Sequence, residues 1–161
     1  MSHPTSATEY VSLAKRVPAF TAVGRAALLE RADKLRTDVL EPLRPLLIEP
    51  ERDERDVAAF ERAIAEIERL EALVASSVEL AAPRTGRNAV VTPGALVEVR
   101  THEGDLVSVR PVHPEEATID DQRISWDSPL GRALLGARVG ECVEVASPSG
   151  RWVGEVVRIR R

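Results

Sequence analysis

The stretch WDSPLGRALLG, from Trp126 to Gly136, carries the signals of a short helix with a defined beginning and a defined end. Ser128 is a favoured N-cap residue, Pro129 suits the first helical position, and Gly136 suits the left-handed residue that ends a helix. A helix of one or two turns is unstable in water by itself. The stretch therefore predicts a short helix that a larger domain holds in place.

The segments around this stretch predict a small sheet domain. Apolar and polar residues alternate, as in strands with one buried face, in ALVEVRT (95–101), LVSVRPV (106–112), VGECVEVAS (139–147) and RWVGEVVRIRR (151–161). RISW (123–126) reads as a further short strand, and HPEEATIDDQ (113–122) reads as a loop. Gly104 and the PSG at 148–150 mark two tight turns. We therefore expect an antiparallel sheet with one short helix, a domain of about 75 residues.

Before residue 82 the apolar residues follow a helical period instead. They form two stripes, Leu28, Ala32, Leu35, Val39, Leu43, Leu46 and Leu47, and then Val57, Phe60, Ile64, Ile67, Leu70, Val74 and Val78. Each stripe needs an apolar partner. The polar run EPERDERD (49–56) separates them, which predicts an antiparallel helical hairpin with an acidic tip. Pro42 and Pro45 predict a kink or break between Leu40 and Leu46.

These periods predict an α+β chain with four parts: an N-terminal extension (1–19), a helical hairpin (20–81), a linker (82–90) and a sheet domain (91–161). The formal net charge of −4 gives no reason to expect broad nucleic-acid binding. The single cysteine, Cys142, excludes an intrachain disulfide and is interpreted as a small buried hydrophobe. Because the sequence has neither an apolar leader core nor a long apolar run, we expect a cytoplasmic protein without a membrane span.

The tip of the predicted hairpin is rich in carboxylates. Five fall within eight residues: Glu49, Glu51, Asp53, Glu54 and Asp56. A hairpin tip needs polar residues in any case, so a solvated turn explains the cluster. The alternative is a set of oxygen ligands delivered to a divalent cation such as Mg²⁺. A flexible acidic turn binds Mg²⁺ weakly, so we predict no metal site held by this chain alone.

The segment ISWDSPLGRALLGARVGECVEVASPSGRWVGEVVRI (124–159) resembles the C-terminal domain of the bacterial Gre transcript cleavage factors, GreA and GreB. The residues in register with the family pattern are Ile124, Ser125, Ser128, Pro129, Leu130, Gly131, Arg132, Ala133, Leu134, Gly136, Val139, Gly140, Val143, Val145, Pro148 and Gly150. The segments FTAVGRAALLERADKLR (20–36) and AIAEIERLEALVASSVEL (63–80) are similar to the two helices of the family's coiled coil. The resemblance covers Phe20 to Arg161.

This resemblance implies an N-terminal coiled coil, an FKBP-like C-terminal domain and a role as a transcription elongation regulator without enzymatic activity or a cofactor of its own. The C-terminal domain is expected to dock on RNA polymerase at the rim of the secondary channel, against the β′ coiled coil. Asp127, Ser128 and Pro129 match the docking segment, and Arg132 lies one helical turn further on. Helix capping alone also explains Ser128. A monomer is expected.

The resemblance further implies that the hairpin projects down the channel, where its tip carboxylates help to hold the polymerase's second catalytic Mg²⁺. The polymerase then cleaves backtracked RNA by two-metal hydrolysis. The family's tip pattern G-D-L-x-E-N-x-E-Y is absent, and ERDERDVAAF (51–60) fits it in two registers. One register uses Asp53 and Asp56, and the other uses Glu51 and Glu54.

The hairpin is also about four residues shorter per helix than the family pattern, a loss of roughly 6 Å of reach. A non-cleaving protein that occupies the channel and inhibits the polymerase, as in inhibitory Gre paralogues and the shorter Rnk proteins, is therefore the main alternative. A module that binds another coiled coil is a further alternative. A prolyl isomerase is disfavoured, because the second half offers only Trp126 and Trp152 as aromatics. The basic residues Arg25, Arg31, Lys34 and Arg36 either face RNA or form an ordinary solvated surface.

Overall fold

The computed structural model describes Ser12 and residues 16–48 and 53–161. The chain divides into two compact units. The hairpin unit is Val23–Ser77, and the sheet unit comprises Met1–Ala22 and Val78–Arg161. None of the helices in these described ranges is long and apolar enough to cross a membrane. Fold class is confirmed as α+β, with helices in the N-terminal half and a sheet in the C-terminal half.

The hairpin unit is built from two helical arms. The outgoing arm consists of α1 (Ala22–Leu35), a π-helical segment (Arg36–Leu40) and α2 (Glu41–Leu46). The returning arm is α3 (Glu54–Ala75). The buried side chains of the unit lie away from the tip: Leu28, Ala32, Leu40, Ala63, Ile67, Leu70 and Val74. The tip at 49–56 is described only from Asp53 onward.

The irregularity in the outgoing arm lies earlier than predicted. The helix continues through Pro42 and Pro45, and the widened π segment precedes them. A helical proline has no N–H to donate and its ring crowds the carbonyl four residues back, so a wider turn just before Pro42 relieves both. The N–H of Glu41 accordingly donates to Arg36 O, five residues back. The extra residue shifts the stripe, so that Leu40 is buried and Val39 is only half-buried.

The prediction that the second apolar stripe is helical throughout is wrong at its last residue, Val78. α3 ends at Ala75 with Ser76 as its C-cap, and Val78 is 52% exposed. Val78 lies in strand β2 (Val78–Glu79), which pairs in parallel with β1 (Ala19–Phe20). Phe20 is fully buried in the sheet unit. Phe20 and Val78, which the predicted boundaries assign to the hairpin, therefore belong to the sheet unit.

The main sheet has five strands in the order β5-β4-β3-β7-β6. Their bounds are Leu96–Thr101 (β3), Leu106–Val112 (β4), Arg123–Ser125 (β5), Cys142–Ser147 (β6) and Gly150–Arg160 (β7). Gly104, with φ 91°, lies in the turn between β3 and β4, as predicted. The prediction of a wholly antiparallel sheet is wrong at β5, which pairs in parallel with β4. Residues 113–122, which include a 3₁₀-helix (Glu116–Thr118), carry the chain back so that β5 runs alongside β4.

Helix α4 (Pro129–Leu134) packs Gly131 and Leu134 into the core of the sheet unit. This core is formed mainly by Val91, Val97, Val99, Val109, Trp126, Leu134, Val145, Val156 and Ile159. The interpretation of Cys142 as buried is wrong, because its side chain is exposed. In β6 the alternation points Val143 and Val145 inward and Cys142 and Glu144 outward.

Candidate docking surface and acidic tip

The turn before α4 is held by hydrogen bonds of two serines. Ser128 Oγ accepts from Gly131 N at 3.1 Å and donates to Ser125 O at 2.6 Å. Ser125 Oγ accepts from Asp127 N at 3.1 Å. Ser128 is thus the N-cap that the sequence predicts, with Pro129 in the first turn. These bonds hold the backbone of Asp127 in a single presentation.

The same turn lies directly against the helix that follows it. A Cβ atom on Gly131 would sit 2.2 Å from Ser125 O and 2.8 Å from Trp126 Cα. Any side chain at this position would push the turn away from the helix. Gly131 therefore permits the close approach on which the presentation of Asp127 depends.

The predicted docking residues fall together on the surface. Arg132 Nη2 lies 3.3 Å from Asp127 Oδ1, and both side chains are partly exposed. An open depression adjoins this ion pair and is lined by Asp127, Pro129, Arg132, Ala133, Glu144 and Ala146. Ser128 is not among the lining residues, and its hydroxyl is hydrogen-bonded in the cap. Asp127, Pro129 and Arg132 were predicted from the sequence as docking residues. The depression also includes residues of strand β6, which the sequence analysis did not identify.

A cluster of tilted and edge-on rings lies next to the turn before α4. Trp126 is 3% exposed, and its ring centroid is 5.4 Å from that of His113, which is 4.6 Å from that of Phe20. His113 Nδ1 accepts from Glu115 N at 3.1 Å. Burial lowers the pKa of His113 below its ordinary value of 6.5, against the opposing effect of nearby carboxylates. Burial therefore favours the neutral form of this imidazole.

A buried carboxylate also lies in this region. Glu116 is fully buried, and it accepts from Thr21 N at 3.0 Å, Thr21 Oγ1 at 2.5 Å and Arg123 Nε at 3.2 Å. Arg123 is also paired with Asp120. A buried charge is tolerated only when it is paired and hydrogen-bonded. The sequence did not identify Glu116, because one of its partners lies 95 residues away and no local spacing marks the contact.

The described tip carboxylates lie at the beginning of α3. Asp53 is the N-cap residue, and its Oδ1 accepts from Arg55 N at 2.8 Å. Glu54 and Asp56 follow in the first helical turn. Glu51, the remaining predicted tip residue, lies outside the described residues. Within the described part of the chain, no three His, Cys, Asp or Glu side chains are grouped so that they could hold a metal ion.

Most of the basic residues singled out on the outgoing arm form ion pairs within the hairpin unit. Arg31 lies 3.0 Å from Glu66, and Lys34 lies 2.8 Å from Glu30. Arg36 is paired with Asp33 and with Glu71. These contacts support the interpretation of a solvated, ion-paired surface over that of an RNA-facing one.

Comparisons with known proteins agree with this architecture. Residues 86–161 match the family model described as "Transcription elongation factor, GreA/GreB, C-term". The "Transcription inhibitor protein Gfh1" of Thermus thermophilus is 35% identical over 114 residues, which cover 66% of this chain and 73% of that protein. The "Transcription elongation factor GreA" of Alkaliphilus oremlandii is 36% identical over 114 residues, covering 69% and 71%. Both matches are longer than the segment matched by the family model, so the similarity extends beyond it.

A shorter sequence match and a solved structure are also similar to this chain. The "Transcription elongation factor GreA" of a Thermotoga species is 40% identical over 73 residues, 45% of this chain and 47% of that protein. The crystal structure of Gfh1 from Thermus thermophilus aligns with a TM-score of 0.42 at 29% identity, covering 89% of this chain and 98% of that one. With a TM-score this low, the relationship rests on the sequence matches.

Proposed function

We propose, because this chain belongs to the GreA/GreB family of transcription elongation factors, that it binds RNA polymerase at the secondary channel and stimulates cleavage of backtracked RNA with its acidic tip. Members of this family modulate RNA polymerase and are not enzymes themselves, so the chain is a transcription factor. In the proposed arrangement, the sheet unit supplies the docking surface and the hairpin unit supplies the tip.

The docking half of the proposal is supported by the turn and helix at 125–134. Asp127, Pro129 and Arg132 line one open depression, and the hydrogen bonds of Ser125 and Ser128 hold the turn in place. A preformed surface of this kind loses little conformational entropy on binding. We propose that it meets the β′ coiled coil at the rim of the channel.

The observation that carries the cleavage half is the placement of Asp53, Glu54 and Asp56 at the exposed beginning of α3. Carboxylate oxygens are suitable ligands for Mg²⁺, which prefers hard oxygen donors and usually keeps several waters. We propose that these residues and Glu51 complete the coordination of a Mg²⁺ held mainly by the polymerase. A second divalent ion supplies charge stabilisation to the attacking and leaving oxygens of a phosphodiester. The contribution of this chain is to position the carboxylates.

The cleavage proposal is tested on a purified, backtracked elongation complex with Mg²⁺ present. We expect the wild-type protein to shorten the transcript and the triple variant Asp53→Asn, Glu54→Gln, Asp56→Asn to lose this activity. Asparagine caps a helix as well as aspartate does, so the triple variant retains the beginning of α3. Polymerase binding by the triple variant is the matched control. If the wild-type protein binds but produces no shortening, the cleavage proposal is overturned.

The second candidate function is inhibition by occupancy of the channel. Two observations favour it: the similarity to the Thermus protein named as a transcription inhibitor, and the use of Asp53 Oδ1 in the helix cap. The capping hydrogen bond occupies one of the lone-pair sites that Asp53 could offer to a metal ion. In the same assay this candidate predicts a transcript of unchanged length. In a separate extension assay with nucleotides present, it predicts that the wild-type protein slows nucleotide addition.

A further inference from the structure

We propose that the docking surface extends from α4 onto strand β6, and that Glu144 is a contact residue that meets a basic side chain on a helix of the β′ coiled coil. This inference rests on the proposed docking to RNA polymerase and names part of its specificity. It concerns the open depression described above, whose lining includes Glu144 and Ala146 of β6. We call this surface the docking depression.

The register of β6 places both residues on the outward side of the sheet. Glu144 is paired with Val153 and Ala146 with Arg151 of β7. The intervening residues, Val143 and Val145, are buried in the core. Alternation in a strand therefore directs Glu144 and Ala146 away from the core and to the same side. The depression is thus built on two regular elements, α4 and β6, and its shape does not depend on a long loop.

The lining of the depression combines small apolar side chains with charged ones. Pro129, Ala133 and Ala146 supply small apolar side chains. Asp127, Arg132 and Glu144 supply the charges. Protein interfaces combine apolar and polar side chains in this way. Small apolar side chains permit close approach of a helix. The carboxylates of Asp127 and Glu144 are each held only in an exposed ion pair with an arginine, so a basic side chain of a partner can engage them.

Glu144 is free to change partners. Its carboxylate lies 3.2 Å from Arg151 Nη1, and the two side chains are 58% and 78% exposed. Exposed ion pairs of this kind add little net free energy. A basic side chain brought by a docked helix can therefore engage Glu144 at small cost to the sheet unit. The same holds for Asp127, whose partner Arg132 is also exposed.

The chain offers a matched control for this residue. Glu155 of β7 also pairs with an arginine, Arg100, at 3.1 Å, and both of those side chains are partly exposed. Glu155 does not line the docking depression. Glu144→Lys and Glu155→Lys therefore make the same change of charge on the same sheet, and both variants are expected to keep the melting temperature of the wild type.

The experiment measures association and dissociation rates with purified RNA polymerase. At about 0.05 M salt we expect Glu144→Lys to weaken binding roughly tenfold, mostly through slower association, and Glu155→Lys to change it less than about twofold. At about 0.5 M salt the difference between the variants should largely disappear, because exposed charges are screened. Equal behaviour of the two variants at low salt would overturn the proposal.

The outcomes separate this inference from the proposed function. If the wild-type protein does not bind polymerase, the proposed function fails and the inference fails with it. If the wild type binds and Asp127→Ala weakens binding while Glu144→Lys matches Glu155→Lys, only the extension onto β6 fails. A photo-crosslinking amino acid at Ala146 identifies the occupant. We expect a crosslink to β′ from Ala146 and none from Arg158, and a crosslink from Ala146 to a different subunit would contradict the proposed occupant.

Discussion

Replacement of Glu116 should strongly destabilise the sheet unit. Glu116→Ala would leave the side chain of Arg123 and the backbone N–H of Thr21 without their buried acceptor. Breaking a buried ion pair by removing one partner typically costs about 3–5 kcal/mol. Urea unfolding of the full chain measures the loss. The matched control is the exposed Glu103, at which Glu103→Gln should stay within about 0.5 kcal/mol of the wild type.

His113 should make stability depend on pH in a defined window. Its pKa is lowered in the folded state by burial, so the unfolded chain binds the proton more readily. Stability from this residue is therefore complete above pH 6.5, the pKa of an unperturbed histidine, and declines as pH falls from 6.5 through the lowered folded pKa.

Urea unfolding at a series of pH values between about 5 and 8 tests this sign. His113→Gln should reduce the slope of stability against pH below 6.5, because glutamine does not titrate. His102→Gln is the control, since the side chain of His102 is 62% exposed. Equal slopes in the wild type and His113→Gln would refute the assignment.

At the scale of the element, Pro45 weakens the outgoing arm. It lies inside α2, where a proline removes one backbone hydrogen bond and crowds the preceding turn. Its side chain is exposed, so little packing is lost on replacement. Pro45→Ala should therefore stabilise the hairpin unit by about 1–3 kcal/mol and raise its helical circular dichroism. A fall in the stability or in the helical circular dichroism would show that Pro45 is required for the conformation of the outgoing arm.

Within the hairpin unit, the part near the tip should be locally less stable than the part that contains residues 64–74. Within the described arms, no side chain of Glu41–Leu46 is fully buried, and the first fully buried residue of α3 is Ala63. Segments with few buried apolar contacts open at low free energy. Backbone amides of α2 and of the first turns of α3 should exchange with solvent faster than those of residues 64–74. Uniform protection along α3 would contradict this expectation.

Local sequence patterns predicted most of the helices and strands. They did not predict the features that depend on contacts between residues far apart in the sequence. The N-cap of α4 and the alternation of the strands are visible in neighbouring residues, and both were confirmed. The parallel direction of β5 and the burial of Glu116 depend on contacts that no local period records. The burial of Leu40 in place of Val39 follows from a widened turn that adds a residue to the stripe. Cys142 is different, because its phase with Val143 and Val145 already marked it as outward-facing.

For the whole molecule, the proposed function predicts that binding and effect reside in different units. The docking depression is formed by residues 127–146 of the sheet unit, and the tip carboxylates belong to the hairpin unit. Asp127→Ala should weaken polymerase binding with an unchanged melting temperature, because it removes only an exposed ion pair. The triple tip variant should bind like the wild type and lose the effect on the transcript.

The two changes should therefore act separately in a titration of the elongation complex. Asp127→Ala should require more protein for half-maximal effect, yet reach the wild-type rate of transcript shortening at saturation. The tip variant should saturate at wild-type concentrations with no shortening at any concentration. Combining them should give the weakened binding of Asp127→Ala together with no shortening at any concentration, since the two changes lie in separate units and sites without shared partners act independently. If Asp127→Ala instead lowers the rate at saturation, the turn before α4 affects the shortening reaction as well as binding. The assignment of binding to the sheet unit and of the effect on the transcript to the hairpin unit is then wrong.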